Sequence, residues 1–318
     1  MRVPVILCVD VEPDPRRLDP ERPEPWRGYE ASIEALEGWR LRLADATGAP
    51  VHYSWFLRMD PQIEVAYGSP AWAAEKYPEV AAEFRALGDE IGLHVHACRW
   101  DEAERTWVVD HGDARWVDHC LDVGFEAFKG SVGFACRSFR FGDRFMSPEA
   151  LAWLERHDCR FELTPEPGSL PTLSLEPSER STGSIPDWRR VDGAPSRRES
   201  GLTVIPLTTG WLPRSWFPDS RLARWKRRVR RYLDPGFDDW HPHATLDLAR
   251  PARHCRFLVE QALAALDRPF LAAVVRTSTA AHPARRAEMD ATLAALATHP
   301  RARDFVFTTP GEAMELLS

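Results

Sequence analysis

Short apolar stretches alternate with longer stretches of helical periodicity along almost the whole chain, and this alternation constrains the fold more than any other sequence feature. It is typical of parallel strands joined by crossover helices. The predicted strands are Val3–Val11, Val51–Leu57, Glu90–His96, Ser138–Phe141, Arg160–Leu163, Leu202–Leu207, Phe270–Thr277 and Asp304–Thr308. Together they predict an α/β fold, a distorted (β/α) barrel of seven to eight mostly parallel strands.

Helical segments lie between these strands. The predicted helices are Ala31–Ala46, Trp72–Leu87, Ala114–Phe128, Pro148–His157, Arg221–Leu233, Ala252–Leu266 and Ala284–Ala297. The helix at Pro148 has the clearest start, because Ser147 can cap it and Glu149 faces the positive end of its dipole. We find no internal repeat and no convincing linker, so we expect a single domain over residues 1–318.

Two segments interrupt the alternation, and both follow predicted strands. Residues 14–26 are rich in proline and charge, and residues 165–198 form a long loop with few apolar side chains. Long loops inside compact domains are commonly functional or disordered. Two interpretations are open: a lid or partner-binding flap at the functional rim, or a segment without fixed structure.

Composition argues against several classes of function. The formal net charge of -7 is unsuited to a general nucleic-acid or anionic-membrane surface, since both need a basic face. Residues 224–231 are basic, but a solvated helix face is the simpler interpretation. The cysteines are scattered without close pairs, no signal peptide is recognisable, and no apolar run approaches the roughly 20 residues that span a bilayer. We therefore expect a cytoplasmic protein with reduced thiols, whose partners are small molecules or carbohydrates.

Three carboxylates end the first predicted strand, at Asp10, Glu12 and Asp14. Because strand side chains alternate, Asp10 and Glu12 point to the same side, which opens on a ligand crevice at the carboxyl end of a parallel strand. Such acids can hold a cation or divide acid and base roles. The alternative is that they cap a helix or pair with arginines, although buried acids are costly without a partner.

A second pair of polar residues, His94 and His96, ends the predicted strand 90–96 with the same spacing of two. Two imidazoles and a carboxylate suggest a hard or borderline divalent metal ion. A histidine pair on a strand can also be a hydrogen-bonded part of the core. The spacing brings both rings to one site only if the chain is extended there.

The order of these motifs resembles the polysaccharide deacetylase family, also called chitooligosaccharide deacetylase-like, over most of the chain. The similar segments are Val9-Asp10-Val11-Glu12, Gly88 to His94, Phe139-Arg140-Phe141-Gly142 with Ser147 to Leu151, and strand 270–277 with His282-Pro283. The family's second histidine normally follows four positions after the first, where this chain has Cys98. Its last histidine normally stands at the strand end, where this chain has Arg276.

The resemblance implies a metal-dependent hydrolase of a non-peptide carbon–nitrogen bond, with an N-acyl sugar as the first substrate. The implied ligands of a divalent metal, zinc being the first choice, are Glu12, His94 and His96. Asp10, held ionised by Arg140, would be the catalytic base. His282 would be the general acid, with His52 as its substitute.

Substrate contacts are predicted near the strand ends. Four tryptophans, Trp55, Trp100, Trp211 and Trp216, have indoles that offer flat faces to sugar rings, although tryptophans more often serve as packing. Arg58 is a further candidate for substrate binding. Two further interpretations are open. One is a catalytically inactive relative that binds a carbohydrate or partner in the same crevice, and the other is a hydrolase of small cyclic or linear amides.

Overall fold

The chain is described by a computed structural model, which covers residues 1–171, 180–216, 243–265 and 267–318. Its strands are β1 (Val3–Val11), β2 (Ser54–Arg58), β3 (Glu90–Val95), β4 (Cys98–Asp101), β5 (Thr106–Asp110), β6 (Ser138–Phe141), β7 (Phe161–Glu162), β8 (Arg180–Thr182), β9 (Ser196–Arg197), β10 (Thr203–Val204), β11 (Thr209–Trp211), β12 (His243–Thr245), β13 (Leu271–Arg276) and β14 (Phe305–Phe307). Its helices are α1 (Arg27–Thr47), α2 (Pro61–Tyr67), α3 (Trp72–Lys76), α4 (Val80–Ala86), α5 (Ala114–Val132), α6 (Pro148–Arg156), α7 (Ala252–Ala265), α8 (Pro283–Ala297) and α9 (Pro310–Leu317).

The main sheet of the described residues has the strand order β13-β1-β2-β3-β6-β7-β10-β9, with β14 pairing to β1 beside this path. All its pairings are parallel except that of β10 with β9. The amide of Thr208, just after β10, donates to the carbonyl of Ala272 in β13 at 2.8 Å, so backbone bonding brings the sheet round on itself. This curled, mostly parallel sheet with helices outside it confirms the predicted α/β class and distorted barrel.

Two small sheets are additions that the sequence pattern did not predict. Strands β4, β5 and β8 form one, and β11 and β12 form the other. The predicted helix Trp72–Leu87 is wrong as a single element. It is two helices, α3 and α4, because Pro78 between them has no N–H to donate and restricts the residue before it. The predicted helix 221–233 lies outside the described residues.

Alternation along β1 divides its side chains between two cores. Val5, Leu7, Val9 and Val11 pack against the outer helices. The opposite side belongs to the barrel interior, whose apolar residues are Ile6, Cys8, Phe56, Leu163, Ile205, Leu207, Phe270, Ala272, Val274 and Ala313. The last of these lies in α9, so that helix closes one end of the interior. Asp10 and Glu12 continue the inward series at the other end, where the barrel opens.

Close packing in the interior depends on one glycine. A Cβ atom at Gly92 in β3 would lie 2.7 Å from the ring of Phe56, a distance that non-bonded carbon atoms do not tolerate. Gly92 therefore lets the fully buried Phe56 fill the barrel directly beneath the polar residues of its mouth.

All six cysteine thiols are free and buried. Among the described parts of the chain, no helix is long and apolar enough to cross a membrane.

Candidate metal centre

Polar side chains converge where neighbouring strands of the barrel end. The inward positions there carry Asp10, Glu12, Arg58, His94, His96, Arg140 and Arg276. Register explains the convergence: Asp10 pairs with Arg276 across β1 and β13, and His94 pairs with Arg140 across β3 and β6. The carboxyl ends of parallel strands thus bring residues from five segments to one mouth.

Asp10 is held by Arg140 through both of its oxygens. The Nε and Nη2 atoms of Arg140 donate to Oδ1 and Oδ2 of Asp10 at 2.7 and 3.0 Å, and Nη1 donates to the carbonyl of Leu163 at 2.8 Å. Both side chains are buried. This bidentate pair fixes the direction of the Asp10 carboxyl group.

The two imidazole rings meet through their Nε2 atoms, 3.0 Å apart. Nδ1 of His94 lies 3.0 Å from the carbonyl of Arg140, and Nδ1 of His96 lies 3.2 Å from Oδ2 of Asp143. Because a carbonyl and a carboxylate can only accept hydrogen bonds, both Nδ1 atoms carry hydrogen, and the Nε2 atom of each ring is turned towards that of the other. Facing lone pairs repel unless a proton or a metal cation lies between them.

Glu12 completes this group. Its Oε1 accepts a hydrogen bond from Nε of Arg276, whereas its buried Oε2 has no hydrogen-bond partner. That oxygen lies 3.5 Å from Nε2 of His96 and 3.5 Å from Nη1 of Arg58. One ligand atom each from Glu12, His94 and His96 lie within 4.8 Å of one another. An orphaned carboxylate oxygen beside two imidazole nitrogens fits a divalent cation, which would satisfy all three.

The pKa shifts of the three residues differ in direction. Burial alone would lower the pKa of His96, but Asp143 and Glu12 raise it, which favours a proton on its Nε2 atom that a divalent cation would have to displace. Burial lowers the pKa of His94 to about 4, so its ring is neutral. Burial alone would raise the pKa of Glu12, but Arg276 and the two histidines hold it well below its usual range. Glu12 therefore remains a carboxylate at neutral pH and can act as a metal ligand.

Asp143 orients His96 and was missed by the sequence analysis. It follows β6 with φ 56°, in the left-handed region that costs a non-glycine residue roughly 1–2 kcal/mol. Gly142 before it is required by close approach, since a Cβ there would lie 2.3 Å from the His96 ring. Burial alone would raise the pKa of Asp143, but His96 and Arg16 hold it well below its usual range. A Gly-Asp pair directly after a predicted strand was the available signal.

A cavity of about 540 Å³ opens over this group. Besides residues already named, its wall includes Arg144, Glu166, His243, Asp247, Arg250 and His254. Arg144 follows β6, Glu166 lies at the start of the long loop, and the other four come from segments around β12 and α7. No local sequence pattern indicates them, because only the closing of the barrel brings them to the mouth.

The tryptophans predicted to contact substrate do not line this cavity. Trp55 is fully buried on the helix side of β2, stacked on Phe84 with ring centroids 4.1 Å apart. Trp100 packs against Trp107 outside the cavity. Trp211 is 44% exposed and touches the ring of the cavity residue His243. Trp55 faces the outer helices because side chains alternate along β2 and its neighbour Phe56 takes the inward position.

Other predicted positions also need correction. Arg58 is buried behind Glu12 and bonded to Asp60 at 2.8 Å, so it supports the centre rather than facing substrate. His282 is exposed at the N-cap of α8 and does not line the cavity, because the chain turns away after β13. His52 precedes β2 and pairs with Glu312 of α9 at 2.9 Å, at the closed end of the barrel.

No family model and no curated protein matches this sequence. Solved structures similar to it include the allantoinase Puue, at 15% identity and a TM-score of 0.46 over 99% of this chain and 89% of that one. The polysaccharide deacetylase Bc1974 from Bacillus cereus is 12% identical, with a TM-score of 0.40 over 97% and 92%. The 4-alpha-glucanotransferase from Thermococcus litoralis is 12% identical, with a TM-score of 0.48 over 99% and 40%. Similarity at this level does not carry an activity from those proteins to this chain.

Proposed function

We propose that this chain is a divalent-metal-dependent hydrolase of a non-peptide carbon–nitrogen bond, with an N-acyl amino sugar as its first substrate class. One observation carries the proposal: the lone oxygen of Glu12 converges with the Nε2 atoms of His94 and His96 beside the Asp10–Arg140 pair. Two imidazoles and one carboxylate are donors that zinc accepts while keeping a position open for reaction.

Glu12, His94 and His96 would hold the cation. A divalent cation in such a site supplies an activated water and polarises a carbonyl oxygen. Asp143 and the carbonyl of Arg140 accept hydrogen bonds from the outer nitrogens of the two rings and keep their Nε2 atoms free. The protein thus presents the three donors already oriented.

Asp10 is the proposed general base. It lines the cavity, and Arg140 holds it as a carboxylate through two hydrogen bonds. A fixed carboxylate beside the cation site can accept the proton that an attacking water loses. The guanidinium leaves the outer lone pairs of Asp10 available on the cavity side.

The proton donor is reassigned from His282 to Asp247. Asp247 lines the cavity, and burial raises the pKa of its carboxyl, an effect to which the charge of Asp10 adds. Two carboxyl groups in environments that separate their ionisation can divide the roles of base and acid. In this arrangement Asp247 donates to the departing amine.

The test is hydrolysis by protein of defined metal content. Protein stripped by a chelator and reloaded with zinc, manganese or magnesium is incubated with N-acetylglucosamine oligomers and with small cyclic and linear amides. We expect acetate or amine release only from the reloaded protein. Absence of release with every metal and every substrate would contradict the proposal.

A second candidate is a non-catalytic protein that binds carbohydrate in the same crevice. The ion pair between Arg276 and Glu12 favours it, because this arginine competes with a cation for the carboxylate. Cys98 also stands where the resembling family has a second histidine. Saturable binding of a sugar by zinc-loaded protein without turnover would support this candidate.

A further inference from the structure

The cavity over the candidate metal centre holds as many arginines as carboxyl groups. Among the described residues, five arginines and five carboxyl groups line it. A divalent cation bound by Glu12, His94 and His96 would leave the wall positive. A substrate with an anionic group would restore neutrality.

Arg144 is a poorly satisfied arginine of this wall, and its side chain is 27% exposed. Its Nε atom is buried without a hydrogen-bond partner, and its Nη1 lies 3.5 Å from Oε2 of Glu166. The same Glu166 oxygen already accepts a hydrogen bond from the hydroxyl of Thr245 at 2.7 Å. Arg140 in the same cavity donates two hydrogen bonds to Asp10 and a third to the carbonyl of Leu163, so its guanidinium is used more fully than that of Arg144.

The backbone holds Arg144 in place. Its φ of 57° is left-handed and directly follows the left-handed Asp143. Its carbonyl accepts a hydrogen bond from the indole of Trp188 at 3.0 Å. A position that costs roughly 1–2 kcal/mol of backbone strain is retained when the surrounding structure fixes it, and such positions cluster at ligand sites.

We propose, resting on the function proposed above, that the substrate carries a carboxylate and that Arg144 binds it. A guanidinium presents a planar fork that matches a carboxylate through two parallel hydrogen bonds. The Nη atoms of Arg144 would form this fork, since Nη1 makes only a 3.5 Å contact with Glu166. Arg144 is therefore a specificity residue that selects acidic N-acyl substrates over neutral ones.

Three sugars that differ only at carbon 6 test this selection. They are N-acetylglucosamine, its C6 carboxylate 2-acetamido-2-deoxyglucuronic acid, and N-acetylglucosamine 6-phosphate. Their affinities are measured by calorimetry on zinc-loaded Asp10→Asn protein, which does not consume them. Arg144→Gln is compared in that background, with Arg156→Gln, an exposed arginine of α6, as the matched control.

We expect the carboxylate sugar to bind at least ten-fold tighter than the neutral one, as charged hydrogen bonds imply. Arg144→Gln should abolish this preference without changing the affinity for the neutral sugar or the zinc content, and Arg156→Gln should change none of these. Equal affinities, or a preference that survives Arg144→Gln, would overturn the assignment. An Arg144-dependent preference for the phosphate over the carboxylate would overturn it too.

Two open-chain amides cover the case in which no sugar binds. N-acetyl-β-alanine and N-propylacetamide differ by a carboxylate in place of a methyl group, and equal or undetectable binding of both would end the proposal. The preference could depend on Arg144 even if the zinc-loaded protein with Asp10 intact hydrolyses none of these compounds. That result would keep Arg144 as a carboxylate site and would defeat the proposed hydrolase function.

Discussion

The Nε2 atoms of His94 and His96 lie 3.0 Å apart. The Nδ1 atom of each ring donates a hydrogen bond to an oxygen that can only accept one, which fixes the ring's orientation. Rings held in this way direct both Nε2 atoms at one point, beside an oxygen of Glu12 that has no hydrogen-bond partner. Imidazoles with such partners are the usual form of histidine ligands to metals. The predictions on metal content and affinity follow from this relationship.

Removing one ligand should remove the metal. Glu12→Ala and His94→Ala each take away one of three donors, so we expect zinc to fall from about one equivalent to near zero by elemental analysis. Glu315→Ala, an exposed carboxylate in α9, is the matched control and should keep full zinc. Full metal in both ligand variants would refute the centre.

Asp143→Ala should weaken metal binding without abolishing it. The carboxylate fixes the ring of His96 from 3.2 Å, and loss of such a support typically costs 10–100-fold in metal affinity. Competition with a chromophoric chelator measures the change. Thermal melting of the metal-free variant separates this effect from folding, and an unchanged zinc affinity would show that His96 needs no support.

Asp10→Asn should keep the metal and lose turnover. The amide is nearly isosteric with the carboxylate but cannot accept the proton, so we expect kcat to fall by roughly 10²–10⁴-fold. Zinc content should change little, whereas the melting temperature should fall, because the amide leaves the buried Arg140 without its anionic partner. Undiminished hydrolysis by this variant would exclude Asp10 as the base.

Asp247→Asn and His282→Ala distinguish two proton donors. Burial raises the pKa of Asp247 in the cavity wall, whereas His282 is exposed outside it. We expect Asp247→Asn to lower kcat and to remove the alkaline limb of the pH profile, because a carboxyl acid loses its proton as pH rises through its pKa. The same effect from His282→Ala, with none from Asp247→Asn, would restore the sequence-based assignment.

Much of the centre could be predicted because it depends on local periodicity. The spacing of two in Asp10 and Glu12, and again in His94 and His96, placed each pair on one side of a strand, and both pairs face the barrel interior. Trp55 and Arg58 are three residues apart on one strand. Their alternation already indicated that they cannot both face the crevice.

The rest of the site depends on tertiary closure. Asp247 is near the mouth because the carbonyl of Leu246 accepts a hydrogen bond from the amide of Val274 in β13 at 2.9 Å. That pairing joins segments with no shared sequence pattern. Asp143 and Arg144 face the cavity because both have left-handed backbone conformations. Non-glycine residues seldom adopt this conformation, so a sequence pattern does not predict it.

Glu162 should make the stability of the fold depend on pH. It is fully buried in β7. Its Oε1 atom accepts a hydrogen bond from the amide of Thr164 at 2.6 Å, and its Oε2 atom has no hydrogen-bond partner. Burial raises the pKa of its carboxyl from 4.5 to about 7. Between these values the folded state binds more protons than the unfolded state, so stability falls as pH rises from about 4.5 to about 7 and stays reduced above that.

Glu162→Gln removes this ionisation while keeping an acceptor for Thr164. Its unfolding free energy, relative to the parent protein, should therefore increase by on the order of 3 kcal/mol between pH 5 and pH 8. Denaturant titrations of the metal-free proteins at several pH values give this difference, and Glu315→Gln supplies the exposed control. A difference that does not vary with pH would mean that Glu162 is already ionised in the folded protein at pH 5.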